Sequence, residues 1–466
     1  MRPYLKLQVL SQEEIAKIHS AMVSILSRTG LAVEHPDIRE AFSECGAETD
    51  GQSGRVLFPG RVIDRFLGET RRIEYSSVGP SVSGDAGVYQ GMYLEPGTSQ
   101  IVPFTDQTLA GYVKLACLLE GVTDIGMQNY PTAGGRPTEP LELRIFAWKH
   151  GARESGSIQL TELCPYLLEM YQIRADAVRK PLSEVFRGFL FLVVSPLRIP
   201  EHEADQLMYF HKRGLRVRFG NMITAGGSGP VTLAGCLALN LAERIALGIL
   251  ERVLYGDRQW SLDSSIAPLD LRTFIQPYGR PEMVLANLAT MQLAQYYGVR
   301  GSGHCGLTDA KLPSNEAGVQ KLLSALPCIL AGGGGIEPGL LCIDELHSPI
   351  QMILDAELVG ALRRLVRGFD VDEETLAVNL IDEVGPGGLF TATEHTVKHF
   401  RTEQWQPGIW SREMLQTWLS GERKMDAQRA LDVWNDLMSR PDPEPGITQE
   451  TETQLWDVVR RAGKSV

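Results

Sequence analysis

FLFLVVS, residues 189–195, is an apolar run without a polar residue at alternate positions until its last serine. An alternating strand would leave one wet face. A continuous run must be covered on both faces, as in a parallel sheet flanked by helices. The run is followed by a helix-period segment at 201–213, and the same strand-then-helix unit recurs along the chain. IVPFT (101–105) precedes a helical stretch at 107–119, DIGMQN (124–129) one at 138–151, and SIQLTE (157–162) one at 164–177. LRVRFG (215–220) precedes 230–251, WSLDSS (260–265) precedes 281–297, GVRGSGH (298–304) precedes 314–326, and CILAGGGG (328–335) precedes 350–367. Eight such units in roughly 270 residues predict an α/β fold of the (β/α)8, TIM-barrel type rather than an open doubly wound sheet.

Flanking regions complete the plan. Residues 1–98 read as an N-terminal α/β accessory layer. SQEEIAKIHSAMVSILSRTG starts with Ser11 and Glu14 as a capping box and stops on Gly30. A short helix is expected at 36–45, and IEYSSVGPSVSG with GVYQGMYLE (88–95) read as hairpin strands. The barrel is assigned to 99–370. Residues 371–466 form a helical extension packing on it, with helices near 372–383, 393–401, 411–419, 423–438 and 449–462. PDPEPG (441–446) is a breaker, since too little chain follows it to fold alone.

With 43% apolar and 22% charged residues, the chain is an ordinary globular one. A net charge of −12 excludes a basic nucleic-acid footprint, and fits both the steering of a cationic ligand and plain solubility. No membrane-length apolar run is expected, and MRPYLKLQVL lacks the apolar core of a signal peptide. Cys45, Cys117, Cys164, Cys236, Cys305, Cys328 and Cys342 are odd in number and contain no C-x-x-C pair. That pattern reads as reduced thiols in a cytoplasmic protein, without a disulfide framework or a structural zinc.

Active sites of such barrels lie at the carboxyl ends of the strands. The residues just past each expected strand are Asn129, Glu162, Ser195, Asn221, Asp263 with Ser264 and Ser265, His304 with Cys305, and Gly332 to Gly335. NYPTAGG (129–135) and NMITAGG (221–227) share one pattern. It reads either as a glycine loop offering amides to an anion, with Gly226 and Gly227 at the ligand, or as a tight turn that Asn caps locally. His304 and Cys305 are neighbours, so on a strand they point to opposite faces. They do not readily share a metal or form a nucleophile–base pair. With no H-x-E, H-E-x-x-H or C-x-x-C pattern, no metal is expected on this chain. Asp309 and Lys311, in LTDAKLPS, are expected to hold their loop. His347, in CIDELHSPIQMILD, either faces a ligand in the last strand–helix loop or is hydrogen-bonded locally. GPGG (385–388), before Phe390, reads as a loop able to reach back over the strand ends.

The chain resembles the trimethylamine methyltransferase family of corrinoid-dependent (β/α)8 enzymes. The resemblance is carried by LTDAKLPSNEAG, AGGGGIEPGL, the D-x-E-L-V-G segment (Asp355, Glu357, Leu358, Val359, Gly360), EVGPGGLF and HTVKHFRTEQWQP, and more loosely by NMITAGGSGP. Members carrying pyrrolysine demethylate trimethylamine. This sequence has only the ordinary twenty residues, with His304–Gly306 nearest the pyrrolysine position, and is similar to the branch acting on quaternary amines such as glycine betaine. The resemblance implies methyl transfer to Co(I) of a corrinoid (cobalamin) carried on a separate partner protein, with no metal on this chain. A quaternary ammonium releases a neutral tertiary amine, so orientation and desolvation are the main tasks. Implied roles are catalytic for His304, Glu162 and Asn221. Tyr130, Trp260, Phe390 and Asp263 would surround the cationic nitrogen, and Asn129 and His347 would hold a carboxylate. Gly332, Gly333, Gly334, Gly226 and Gly227 would leave room for the corrinoid. Size and family imply a homo-oligomer. The alternatives are a metal-dependent barrel methyltransferase or hydrolase using His304, and a non-catalytic homologue that binds betaines or a corrinoid protein.

Overall fold

The computed structural model describes residues 8–50, 53–75, 81–158 and 160–466. Its central feature is a series of short parallel strands alternating with helices. The strands are β1 (Ser83–Val88), β2 (Asp124–Met127), β3 (Arg153–Glu154), β4 (Leu190–Val193), β5 (Arg218–Asn221), β6 (Ser261–Ser264), β7 (Arg300–Gly303) and β8 (Gly335–Ile336). The helices that follow them are α1 (Asp106–Leu118), α2 (Glu139–His150), α3 (Cys164–Val178), α4 (Glu201–His211), α5 (Leu233–Tyr255), α6 (Pro281–Tyr297), α7 (Asn315–Leu330) and α8 (Pro349–Arg367).

The strands pair in two rows. One runs β8, β1, β2, β3, with Gly335 beside Ser83, Gly87 beside Gly126, and Met127 beside Glu154. In the other, β4 pairs with β5 and β6 with β7, and the segments Ile223–Ala225 and Ile266–Pro268 join β5 to β6. All these pairings are parallel. Side chains bridge the rows where backbone ladders do not. The buried Arg144 of α2 donates through Nη2 to the carbonyls of Gly156, past β3, and Gly188, before β4, both at 3.0 Å. Between β7 and β8 the Cys305 thiol donates to the Gly335 carbonyl at 3.5 Å. Within the second row, Arg244 of α5 ties the Phe219 carbonyl to that of Ser261. A buried guanidinium offers several donors in fixed directions, so it satisfies carbonyls that a missing ladder bond would strand.

The expected first strand is corrected. Ile101–Pro103 pairs antiparallel with Met92–Leu94, whereas Ser83–Val88 lies parallel to β2. The parallel series therefore begins inside the stretch assigned to the accessory layer, and Ser83–Val88 and Met92–Leu94 pair with other strands rather than with each other as the expected hairpin requires. Residues 76–80 of that hairpin lie outside the described residues. The third strand is Arg153–Glu154 rather than SIQLTE. Residue 159 of that stretch lies outside the described residues, and Thr161–Leu163 is a 3-10 turn. The eighth strand is also displaced, because α7 continues through CIL to Leu330, burying Ala325, Cys328 and Ile329 at helical spacing.

Helix α5 has a mean hydropathy of 1.6 over a membrane-length window, against the expectation that no such run exists. Its apolar surface is explained by burial, because 83% of that window lies inside the protein. The helices Gln12–Ser24 and Pro36–Glu44 pack on it, the first opened by the Ser11–Glu14 capping box. Helix Asp426–Ser439 covers α1 and α8, and Gln449–Ala462 covers α2 and α3.

Candidate functional site

Between the strands lies a cavity of about 380 Å3 whose walls include Asp85, Gly87, Gly126, Arg153, Gly303 and Glu337. Side chains alternate along a strand. Apart from Ile336, the residues lining this cavity are small or polar, so it is not filled by large apolar groups.

Three strand ends converge above it. Tyr89 follows β1 directly, His304 follows β7, and Glu337 follows β8. The Tyr89 hydroxyl donates to Glu337 Oε2 at 3.2 Å, and His304 Nε2 lies 3.2 Å from Glu337 Oε1. The Tyr278 ring meets the imidazole edge to face at 5.1 Å. Burial opposes protonation of His304, but the hydrogen bond and charge of Glu337 outweigh it, so the pKa is raised. The Glu337 charge first, then burial, holds the Tyr89 phenol well above its ordinary range. Burial, then Glu337, raises the Asp344 carboxyl. The site is therefore a carboxylate flanked by two phenols and an imidazole that is charged more readily than usual.

A buried ion pair holds this arrangement from behind. Lys321 Nζ donates to the Glu337 carbonyl at 2.8 Å and to Asp355 Oδ2 at 2.6 Å, and Asp355 also accepts from Gly339 N at 2.9 Å. Asp309 accepts from the amides of Tyr278 and Gly279 at 2.7 and 3.1 Å, while Lys311 Nζ donates to the Asp309 carbonyl at 2.6 Å. These two residues hold the loop, as expected.

His304 reaches Glu337, whereas Cys305 is among the residues that line the cavity. The thiol sits in an apolar cluster with Val284, Leu288, Met291 and Cys328. Other expected site residues are placed elsewhere. His347 is fully buried, accepts from Tyr89 N at 3.1 Å and donates to the Met92 carbonyl at 3.2 Å. Burial pushes its pKa down to about 4, so it is a neutral support under Tyr89 rather than a carboxylate ligand. Asn221 turns outward to α5, donating to Asn240 at 2.9 Å and Glu243 at 2.7 Å. Glu162 lies in a separate groove with Glu34, Arg198 and His202. Asn129 lies one residue beyond Gln128, and Gln128 lines the cavity.

Tyr130 is buried against Phe146, its hydroxyl on Asp106 at 3.2 Å. Trp260 precedes β6, hence at the wrong end of the strand, and donates to Thr70 at 3.2 Å. Asp263 accepts from Ser302 and Ser261, at 2.7 and 2.8 Å, and pairs with Arg244 of α5 at 3.2 Å, so its carboxylate is already engaged. Phe390 is 41% exposed on a lobe after α8, which runs back toward the amino ends of the strands. Gly332, Gly333 and Gly334 precede β8 rather than follow it. A Cβ on Gly333 would stand 2.5 Å from the Gly301 carbonyl, so that glycine permits close backbone approach. The two N-x-x-T-A-G-G turns also differ: Gly134 and Gly135 are both left-handed, but of Gly226 and Gly227 only Gly226 is. Among the described residues, no group of three or more His, Cys, Asp or Glu is arranged to hold a metal ion.

Tyr89, Tyr278, Arg153 and Glu337 were absent from the sequence-derived set. Reading the residue after each strand finds Tyr89 and Glu337 at once when β1 and β8 are placed correctly. Tyr278 carries no such signal.

The sequence model of the family described as trimethylamine methyltransferase (MTTB) matches residues 168–466. The chain belongs to that family and is a methyltransferase. It is 26% identical to the glycine betaine methyltransferase of Desulfitobacterium hafniense (strain Y51), over 99% of this chain and 98% of that protein. It is 24% identical to the trimethylamine methyltransferase MttB of Desulfitobacterium hafniense (strain DSM 10664 / DCB-2), over 95% and 94%. The crystal structure of the Methanosarcina barkeri monomethylamine methyltransferase (MtmB) aligns with a TM-score of 0.42 at 11% identity, covering 97% of this chain and 92% of that one.

Proposed function

We propose that the eight strand–helix units form a (β/α)8 barrel closed at its two seams by side chains, and that the chain moves a methyl group from a quaternary amine, glycine betaine or a related betaine, to the Co(I) of a cognate corrinoid protein. The observation that carries this reading is the convergence of the Glu337 carboxylate with Tyr89, Tyr278 and His304 over a cavity of about 380 Å3. A carboxylate among aromatic rings attracts an ammonium that cannot donate hydrogen bonds. The cavity is near the lower end for small-molecule sites. It suits an amine and is far too small for a corrin macrocycle as well, so the corrinoid stays on its partner and meets the substrate at the strand ends. The corrinoid supplies the cobalt nucleophile. This chain holds the methyl donor in line, excludes water and needs no general acid, because the leaving amine departs neutral. One relative is by name a glycine betaine methyltransferase, and this sequence lacks pyrrolysine; both support a quaternary substrate. Mixing the enzyme with reduced corrinoid protein and a panel of betaines should convert Co(I) to methyl-Co(III). No spectral change with any quaternary amine would contradict the proposal.

A further inference from the structure

The floor of the cavity has a chemistry that the cationic site above does not use. Arg153 lines it, with its side chain 38% exposed into that space. Its Nε pairs with Asp124, and among the described residues its guanidinium makes no other hydrogen bond. Arg218 shares this side of the sheet. On β5, Phe219 packs on Tyr255 of α5 and Asn221 bonds to the same helix, so Arg218 and Gly220 face the other way. A Cβ on Gly220 would touch Leu190 and Leu192 of β4. Among the described residues Arg218 forms no ion pair. Burial, then the charge of Arg153, lowers its pKa. The carboxylates nearby are Asp124, already paired, Asp85, whose pKa burial raises, and Glu154, which accepts from Tyr171 and acts on Arg218 by charge. Arg153 is half-buried in the cavity wall and Arg218 is exposed beside it, and an anion held by Arg153 relieves the repulsion between the two charges.

The ladder fixes the level of the guanidinium. A Cβ on Gly126 would lie 2.9 Å from Arg153 Nη2, so the guanidinium stands at the level of Gly126 and of its partner Gly87. Tyr89 is two residues further along, and its ring folds back against Gly87, so the phenol closes the cavity near the level of the guanidinium.

We propose that Arg153, with Arg218 beside it, binds the carboxylate of a zwitterionic substrate whose ammonium sits under Glu337 and Tyr89. This rests on the quaternary-amine reading and deepens it. The cavity is built for a trimethylammonio-carboxylate and selects against quaternary amines that lack a carboxylate.

Calorimetry without the corrinoid protein tests it, using trimethylammonio-carboxylates with one and three methylenes between the charges and tetramethylammonium chloride. The wild-type chain should bind a carboxylate-bearing ligand at least about 10-fold tighter than tetramethylammonium, R153Q should erase that preference, and R153K should keep part of it, because a point charge replaces a fork. If R153Q does not fold, the wild-type preference and its partial loss in R153K still decide. Equal wild-type affinities, or a preference intact in R153Q, would overturn the inference and leave the proposed function standing. If the wild-type chain binds neither class of quaternary amine, both fall.

Discussion

Tyr89 and Glu337 lie 248 positions apart in the sequence and are joined by a 3.2 Å hydrogen bond from hydroxyl to carboxylate. Each is the first residue past a strand, β1 and β8, and those strands are paired. The contact ties the start of the strand series to its end at the place where His304 enters.

Replacing Glu337 with Gln keeps the shape and removes the charge. We expect kcat/KM for a quaternary amine to fall about 10- to 100-fold, mainly through KM, as losing a charged partner of roughly 1.5–3 kcal/mol implies. Steady-state kinetics checks it; a change below two-fold would remove Glu337 from the ammonium site.

His304 and His347 shape opposite limbs of the stability profile. The raised pKa of His304 means that its contribution is complete below the ordinary value of 6.5 and is lost as pH rises through the raised one. His347 is held neutral with a pKa of about 4, so its contribution is complete above 6.5 and is lost as pH falls toward 4, to the extent of about 3 kcal/mol. Urea denaturation across pH 4–9 should show both limbs. H347Q should flatten the acid one and H304Q the alkaline one.

The Lys321–Asp355 pair is almost wholly buried, with side chains 0% and 1% exposed. K321M strands a buried carboxylate and should cost about 3–5 kcal/mol, whereas the double variant K321M/D355L should recover much of that loss. Chemical denaturation distinguishes the two. A single variant as stable as wild type would show that the pair holds nothing.

Trp260 and Phe390 lie outside the site. W260A should destabilise the chain by about 3–5 kcal/mol through the cavity it leaves against Phe66 and Tyr297. F390A should be near neutral. Neither should move KM for the amine more than two-fold; a larger shift in either would return that ring to the substrate.

All eight helices of the series stand within a few residues of their expected spans, because their caps and apolar period are local signals. The strands are less legible. GDAGV of β1 is neither continuous nor strongly apolar, since its inward side lines a polar cavity, and IVPFT looks more like a buried strand than it is. CILAGGGG was divided wrongly because an apolar triplet reads the same at the end of a helix as at the start of a strand. Those two displacements hid Tyr89 and Glu337. His304 directly follows β7, whose expected span 298–304 contains the observed strand. Tyr278 stands on a loop fixed by Asp309 from 31 residues away, a contact that no local pattern encodes.

The central claim is the choice of a quaternary over a tertiary amine. The most direct measurement incubates the enzyme and its reduced corrinoid protein separately with glycine betaine, a longer betaine and trimethylamine, and quantifies demethylated amine against methylated corrinoid. The account predicts one tertiary amine released per corrinoid methylated from a betaine, and no dimethylamine from trimethylamine. Trimethylamine demethylated at a rate comparable to the betaines, or no betaine consumed, would contradict it.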